Sequence, residues 1–319
     1  MTNESDPHDE RPEITALVSI VAEMSRPIAK VLVGFFLVAV IMAIGMIGLT
    51  LSRPGPPLQP LPTPNGYDEF VKAGQMISGT PGDYAAMNET ELRLLVRTNS
   101  EALQLARAGL EYESRVPLDY SVANSPHLNQ LPALKRLAQL LAAEGRLAEL
   151  EHHPGDAADS ALTAIRLGCE TSRGGTIIDS LVGIAIQAIG MASLERVAPT
   201  LDASQCRRAA SALEAADSRR EPEKATLEQE RAWCRRSYGF KGSIARLLSF
   251  KSIQQTEQKW AGRLRTIENR ERLVLIQLAS RAYELDNGRR ANNLRDLVPG
   301  YLRTVPQDPL TGTNMTYRP

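Results

Sequence analysis

The chain has 319 residues, 43% of them apolar, so it is long enough to bury a hydrophobic core. Its 37 basic and 37 acidic side chains cancel, which argues against a bulk nucleic-acid binder, a class that carries a clear basic excess. The three cysteines, Cys169, Cys206 and Cys234, show no disulfide-framework spacing, and we expect them to be buried thiols.

The first part of the chain predicts a tail and a membrane anchor. Residues 1–27 are rich in acidic side chains and predict a solvated cytoplasmic tail. Residues 28–52 predict a transmembrane anchor, because residues 31–51 contain no charged side chain and a helix of that length spans about 30 Å of hydrocarbon. The lipid bilayer is therefore the expected partner of residues 31–51.

The flanks of this apolar segment predict its processing and its orientation. The chain ahead of it is longer than the basic start of a signal peptide, and no A-x-A cleavage site follows, which favours an uncleaved anchor. Arg26 and Lys30 precede the segment whereas only Arg53 closely follows it, which predicts a cytoplasmic N-terminus and an extracytoplasmic remainder. Residues 53–65 include six prolines and predict a semi-rigid stalk.

Residues 66–265 predict a helical domain. Apolar side chains recur at three- and four-residue spacing along residues 92–110, which is typical of one amphipathic helix. Residues 131–168 predict a helical hairpin whose two helices are joined by a Pro-Gly-Asp turn. Capping boxes predict that the first of these helices begins after Asn88 and that a later one begins after Asp202.

The segment 176–194 is apolar on almost every side, yet it contains Asp179 and Gln187. It predicts either a second transmembrane helix or the central buried helix of the extracytoplasmic domain. A carboxylate in mid-membrane costs at least ~2.5 kcal/mol, which favours the buried helix. Because a buried charge needs a partner, we expect Asp179 to form an ion pair with Arg173 or Arg166.

Residues 231–265 carry nine basic side chains against the single acidic Glu257, together with both tryptophans. This pattern predicts an amphipathic helix that packs on the domain, lies on an anionic membrane surface, or docks an acidic partner. The expected contact residues are Arg235, Arg236, Phe240, Lys241, Arg246 and Trp260.

The sequence contains no HExxH, GxSxG, Walker or GxGxxG motif, so we predict no catalytic residue, no cofactor site and no metal ligand. His152 and His153 are adjacent without a third ligand nearby, and we expect a solvated turn there and a solvated His127. The Arg-Gly-Gly sequence beginning at Arg173 predicts either an anion site on free N–H groups or a flexible helix junction.

Residues 266–319 predict a long helix followed by a small turn-rich module, with Gly288 ending the helix and a turn from Asp308 to Gly312. The positions that carry a resemblance in this module are Tyr283, Gly288, Leu294, Leu297, Val298, Pro299, Tyr301, Leu302, Val305, Pro306, Asp308, Pro309, Thr311, Gly312 and Tyr317.

At these positions the chain resembles uncharacterised membrane-anchored proteins of planctomycete-type bacteria and the C-terminal end of pseudopilin-like proteins. Segments 65–70 and 144–175 resemble the same bacterial group. No Gly-Phe-Thr-Leu-x-Glu peptidase motif precedes the apolar segment, so we do not expect pilin-like processing or assembly. The resemblance implies no biochemical activity.

Together these patterns predict a mainly α fold, with a single N-terminal transmembrane helix, an extracytoplasmic helical bundle of helical-hairpin character, and a turn-rich C-terminal module. The resemblance places the anchor in a bacterial inner membrane. The predicted function is a non-catalytic scaffold or protein-interaction protein of the cell envelope, with an unidentified protein partner and no nucleic acid. The alternative is an envelope enzyme with a site near Arg173 and Asp179.

Overall fold

The computed structural model describes residues 34–45, 48, 60–121, 125–248 and 250–316, and the side chains from 239 to 250 are not described. The chain forms two compact units, residues 1–55 and 56–319. The predicted tail, the ends of the predicted anchor and the first part of the predicted stalk lie outside the described residues.

The described part of the first unit is one apolar helix, α1 (Gly34–Gly45). Its large side chains are exposed on every side, including Phe35 at 73%, Ile41 at 65% and Met42 at 68%. Within this helix the backbone groups are hydrogen-bonded internally, as an apolar solvent requires.

The second unit is built from helices, which begin and end as follows: α2 (Gly66–Met76), α3 (Glu89–Thr98), α4 (Ser100–Gly109), α5 (Leu131–Leu150), α6 (Pro154–Glu170), α7 (Ile177–Val197), α8 (Ala203–Ser218), α9 (Glu223–Leu248) and α10 (Phe250–Asn287). Over the described ranges no β-strand forms, and one isolated antiparallel bridge joins Gln307 to Asn314. The mainly α fold and the helical bundle are therefore confirmed.

Local signals located most helix ends correctly. Asn88 Oδ1 accepts from the Glu91 N–H at 3.0 Å while the Glu91 carboxylate accepts from the Asn88 N–H at 2.8 Å, the reciprocal cap that the sequence predicted. Gly288 and Gly312 both adopt positive φ, of 62° and 70°, at the predicted helix end and turn. The predicted helical hairpin is present as α5 and α6.

Helix α7 separates two hydrophobic cores. Ile186 packs into the core formed mainly by α2 to α5, whereas Met191 and Leu194 pack into the core formed by α6, α8, α10 and the C-terminal module. Of the described helices, Ile177–Thr200 alone is long and apolar enough to cross a bilayer by length and composition, yet 56% of its most apolar stretch is buried within the fold.

Small residues let α6 and α7 cross at close range. A Cβ on Gly183 would lie 2.5 Å from the Gly168 carbonyl oxygen, and one on Gly190 would lie 2.7 Å from the Ala161 carbonyl oxygen. Since real Cβ atoms do not approach oxygen so closely, glycine is required where the two backbones touch.

Two predicted boundaries are wrong. The single helix expected over 92–110 is broken at Asn99, whose amide accepts from the Ser78 N–H at 2.7 Å and donates to the Ser78 carbonyl at 3.0 Å. The long helix expected to begin at residue 266 begins at Phe250 instead, as the continuous α10. The C-terminal module belongs to the same core, because Leu297 and Leu302 are buried in it.

Candidate functional site

A cavity of about 530 Å³ lies where three segments of the second unit meet. Its walls come from the loop after α4, the turn between α6 and α7, and the region at the start of α9. We call this space the arginine cavity. The charged and aromatic side chains lining it are Arg115, Tyr120, Arg173, Glu221, Glu228 and Arg236.

The first wall is fixed through the backbone of Arg115. Asn65 Oδ1 accepts from the Arg115 N–H, and Asn65 Nδ2 donates to the Arg115 carbonyl, both at 2.9 Å. The same Asn65 oxygen accepts from the Tyr67 N–H at the start of α2. This amide therefore ties the loop after α4 to α2 and sets the point from which the Arg115 guanidinium extends.

The second wall carries Arg173. The Val116 N–H donates to the Arg173 carbonyl at 3.0 Å, which joins this turn to the first wall. Gly174 follows with a φ of 67°, and a Cβ there would lie 2.8 Å from Arg115 Cγ, so both conformation and space require glycine.

Arg173 is only partly neutralised by its neighbours. Its Nη1 lies 3.3 Å from the Glu170 carboxylate, and the Arg219 guanidinium lies 3.2 Å from the other oxygen of the same group. The Glu170 side chain is 1% exposed, so two guanidinium groups share one buried negative charge.

The third wall, α9, brings Arg236 onto the loop after α4. The Arg236 guanidinium carbon lies 5.1 Å from the centre of the Tyr120 ring, a cation–π distance. Gln229 Nε2 donates to the Tyr120 hydroxyl, and Trp233 Nε1 donates to the Asp119 carbonyl at 3.2 Å. Burial raises the pKa of Tyr120, so its hydroxyl stays protonated at neutral pH.

The lining of the arginine cavity suits an anionic group. Three guanidinium groups line the cavity together with the carboxylates of Glu221 and Glu228, and the Arg115 guanidinium also lies 3.4 Å from the Glu113 carboxylate. A guanidinium presents parallel N–H donors in one plane, which match the two oxygens of a carboxylate or phosphate. The chemistry that these side chains supply is recognition of negative charge.

Three backbone N–H groups at the start of α7 already donate to acceptors within the fold. The Thr176 N–H donates to Asp179 Oδ2 at 2.7 Å, and the Ile177 N–H donates to the Glu230 carboxylate at 3.0 Å. The Gly175 N–H donates to the Ser172 carbonyl. These three N–H groups are therefore not available to the predicted anion site, and an anion here would also meet guanidinium groups.

The predicted ion pair between Asp179 and Arg173 is wrong. Asp179 is fully buried, and its partners are the Thr176 N–H, the Thr176 hydroxyl at 2.8 Å, and His127 Nε2 at 2.9 Å. Neither predicted arginine reaches it, because Arg173 turns to Glu170 and Arg166 donates to the Leu110 carbonyl.

Ser125, His127 and Asp179 form a hydrogen-bonded row, since His127 Nδ1 lies 2.7 Å from Ser125 Oγ. Such rows serve as catalytic triads when the serine is open to substrate. Here Ser125 is 2% exposed, and its oxygen accepts from the Asp119 N–H at 3.0 Å. The row therefore holds the loop and α7 together, and the expected solvation of His127 is wrong because it is 3% exposed.

The predicted contact residues divide into three groups. Arg236 lines the arginine cavity, whereas Arg235 is half-buried beside it on α9. Trp260 is 1% exposed and donates to Ser180 Oγ at 2.9 Å, so its predicted role as a surface contact is wrong. The side chains of Phe240, Lys241 and Arg246 lie outside the described residues.

The cavity has to be interpreted from its own chemistry. No family model, curated protein or solved structure matches the chain. Among the residues that the structure describes, no group of three or more His, Cys, Asp or Glu side chains is placed to hold a metal ion. The arginine side chains are thus the main chemical feature of this site.

Sequence reasoning missed Arg115, Tyr120 and His127 as parts of this region. The first two carry no motif, and only the tertiary fold brings them to Arg173 and Arg236. For Asp179 a local signal does exist, because Thr-x-x-Asp is a capping-box pattern with aspartate in place of glutamate.

Proposed function

We propose that this chain is a membrane-anchored, non-catalytic recognition protein of the cell envelope, whose helical domain captures an acidic segment of a partner protein in the arginine cavity. The observation that carries the proposal is the convergence of Arg115, Arg173 and Arg236, from three separate segments, on one cavity.

The shape and chemistry of the cavity favour a carboxylate-bearing peptide over a small metabolite. Leu61, Val116 and Leu118 add apolar surface beside the guanidinium groups, which suits side-chain stems and backbone. The Tyr120 ring, which stacks with the Arg236 guanidinium, adds an aromatic surface on which a peptide can pack. Partly exposed guanidinium groups that bind carboxylates give affinity that falls as ionic strength rises.

Membrane anchoring is supported by the apolar segment. Residues 31–51 contain no charged side chain, and the described part forms helix α1 with exposed apolar side chains. A helix satisfies its own backbone hydrogen-bonding groups, so a helix with apolar side chains on every side can be surrounded by lipid. In this proposal the segment spans a bacterial inner membrane with the N-terminus in the cytoplasm.

An enzyme centred on Arg173 and Asp179 has less support. Asp179 is fully buried, and its oxygens are committed to His127 and Thr176, whereas a general acid or base must reach the reacting group. Ser114 lines the arginine cavity but is 1% exposed and donates to the Glu170 carbonyl at 3.0 Å.

The test is an equilibrium titration of the full chain in detergent micelles with fluorescein-labelled octaglutamate, followed by fluorescence anisotropy. Octaglutamate should bind saturably, and octaglutamine should not. Arg173→Gln and Arg236→Gln should each weaken binding roughly tenfold, because each removes charge-assisted hydrogen bonds.

The matched control is Arg290→Gln, which removes an exposed arginine of the C-terminal module that does not line the cavity. It should leave the dissociation constant unchanged. Equal weakening by all three variants would mean that octaglutamate responds to overall charge, and would contradict the proposal.

A further inference from the structure

A second cavity, of about 650 Å³, lies between α8, α10 and the C-terminal module. It does not share a lining residue with the arginine cavity. Leu213, Leu275 and Val305 give it apolar walls. Its charged lining residues are Glu214, Asp217, Glu271, Arg272 and Arg303. We call this space the carboxylate cavity.

Glu271 is the buried polar group of this cavity, with 3% of its surface exposed. Its Oε2 accepts from Arg220 Nη2. Within the described part of the chain, no donor lies in hydrogen-bond reach of its Oε1. A buried carboxylate oxygen without a donor is unfavourable, so a cation that packs against this wall of the cavity would lower the cost of burying the Glu271 charge.

Negative charge is in excess around this group. The Arg220 guanidinium faces Glu271 and lies 3.4 Å from Asp217 and 3.8 Å from Glu268. Arg220 is therefore shared by three carboxylates, and Arg272 is the other cation whose charge acts on Glu271. Burial raises the pKa of Glu271 to about 7 against the opposing charge of Arg220, and the charges of Asp217 and Glu268 act in the same direction as burial.

The arginines that border the carboxylate cavity are engaged with other acceptors. Arg220 Nη1 donates to Gln187 Oε1 at 2.7 Å, and Arg272 Nη1 donates to the Gln307 carbonyl. Arg303 Nε lies 3.4 Å from the Glu214 carboxylate. A further cation would therefore bring the net charge around Glu271 closer to zero.

We propose that the carboxylate cavity binds a small alkylguanidine or alkylamine, whose cationic head donates to Asp217 and lies against the buried charge of Glu271 and whose alkyl chain lies on Leu213, Leu275 and Val305. The class of ligand follows from the lining. The head must donate hydrogen bonds and carry positive charge, and the remainder must be apolar and short enough to fit. This site is independent of the arginine cavity and of the proposed function.

The test compares two probes of the same shape, n-butylguanidinium and the neutral n-butylurea, in equilibrium titrations of the full chain in detergent micelles at pH 8. n-Butylguanidinium should bind saturably and roughly tenfold more tightly than n-butylurea, because only the former is charged. Glu271→Gln should weaken n-butylguanidinium binding at least tenfold while leaving n-butylurea binding unchanged.

Asp217→Asn is a second variant, because this side chain is 40% exposed and its replacement spares the core. It should weaken n-butylguanidinium binding at least threefold. If Glu271→Gln does not fold, the affinity of Asp217→Asn for n-butylguanidinium tests the proposal instead. Glu284→Gln, at the exposed end of α10, is the control and should leave the affinity for n-butylguanidinium unchanged. Equal affinity for the two probes, absence of saturable binding, or wild-type affinity in Asp217→Asn would overturn the proposal.

Discussion

Asp179 shows how a fully buried carboxylate is kept in the interior of the second unit. It accepts from the Thr176 N–H, from the Thr176 hydroxyl and from His127 Nε2, all within 2.9 Å. These donors offset the cost of removing the charge from water. The first two also cap α7, so the same contacts fix where the central helix begins.

His127→Ala should destabilise the second unit by roughly 3 kcal/mol, because it leaves one oxygen of the buried Asp179 without its donor. The measurement is urea denaturation followed by circular dichroism. His153→Ala is the matched control, since His153 is exposed, and it should shift the free energy of unfolding by less than about 0.5 kcal/mol. Equal effects of the two substitutions would contradict a structural role for His127.

Glu271 should make stability depend on pH. Its folded pKa of about 7 lies above the ordinary value of 4.5, so the folded chain holds this proton more tightly than the unfolded chain. The resulting stabilisation is fully present below about pH 4.5 and is lost as the pH rises through 7.

We therefore expect the Tm of the wild-type chain to fall between pH 5 and pH 8 by more than that of Glu271→Gln, because glutamine stays neutral throughout. Glu284→Gln, at an exposed position, should show the same fall in Tm between pH 5 and pH 8 as the wild type. Identical slopes in the wild type and Glu271→Gln would show that the carboxyl group of Glu271 is not responsible.

Partners of single residues were the hardest features to predict from the sequence. The rule that a buried charge needs a partner was right for Asp179, but the nearest arginines were the wrong choice. His127 precedes α5, 52 residues before Asp179, and the two side chains meet only after the chain folds back. Sequence distance carries no information about such a contact.

At the scale of elements, the α6–α7 crossing depends on glycine at the points where the two backbones touch. Gly183→Ala should destabilise the second unit by roughly 1–3 kcal/mol, because the added Cβ would lie 2.5 Å from the Gly168 carbonyl oxygen and must push the helices apart. Denaturant unfolding would measure the loss.

Gly262→Ala is the matched control within α10. Nothing lies within 4 Å of the position of its Cβ, so alanine should stabilise the helix by roughly 0.5–1 kcal/mol. Opposite signs for the two substitutions would confirm that space, and not helix propensity, determines the cost at Gly183. A neutral Gly183→Ala would contradict the close crossing.

The elements themselves were largely predictable, because caps and periodicity are local. The boxes at Asn88 and Asp202 and the positive-φ glycines at 288 and 312 lie where the sequence indicated. The break at Asn99 was missed because its cause, the two hydrogen bonds to Ser78, is tertiary. The continuity of α10 was missed because a change in charge density was interpreted as a domain boundary.

At the scale of the whole molecule, membrane anchoring is a prediction from the uncharged residues 31–51. The full chain should stay in the pellet when bacterial membranes are washed with alkaline carbonate, and should be released by detergent. In intact spheroplasts, added protease should digest the second unit. Release by carbonate would contradict the anchor, and a protected second unit would contradict the orientation.

The mainly α architecture followed from the sequence, whereas the arginine cavity did not. Helical periodicity extends over a few turns and is visible in any one segment. The cavity depends on how three segments meet, and its walls include Arg115 and Tyr120, which no pattern marks. Of the cavity arginines, the sequence marked only two. Arg173 was predicted to pair with Asp179, and Arg236 was predicted to contact a partner or the membrane surface.

The most direct test of the proposed function locates the bound acidic segment. Hydrogen–deuterium exchange of the full chain would be measured with octaglutamate, with octaglutamine and with neither. We expect octaglutamate alone to slow exchange together in residues 114–120, 173–176 and 225–236, which form the walls of the arginine cavity. Unchanged exchange in these three segments, or protection confined to other parts of the chain, would contradict the proposal.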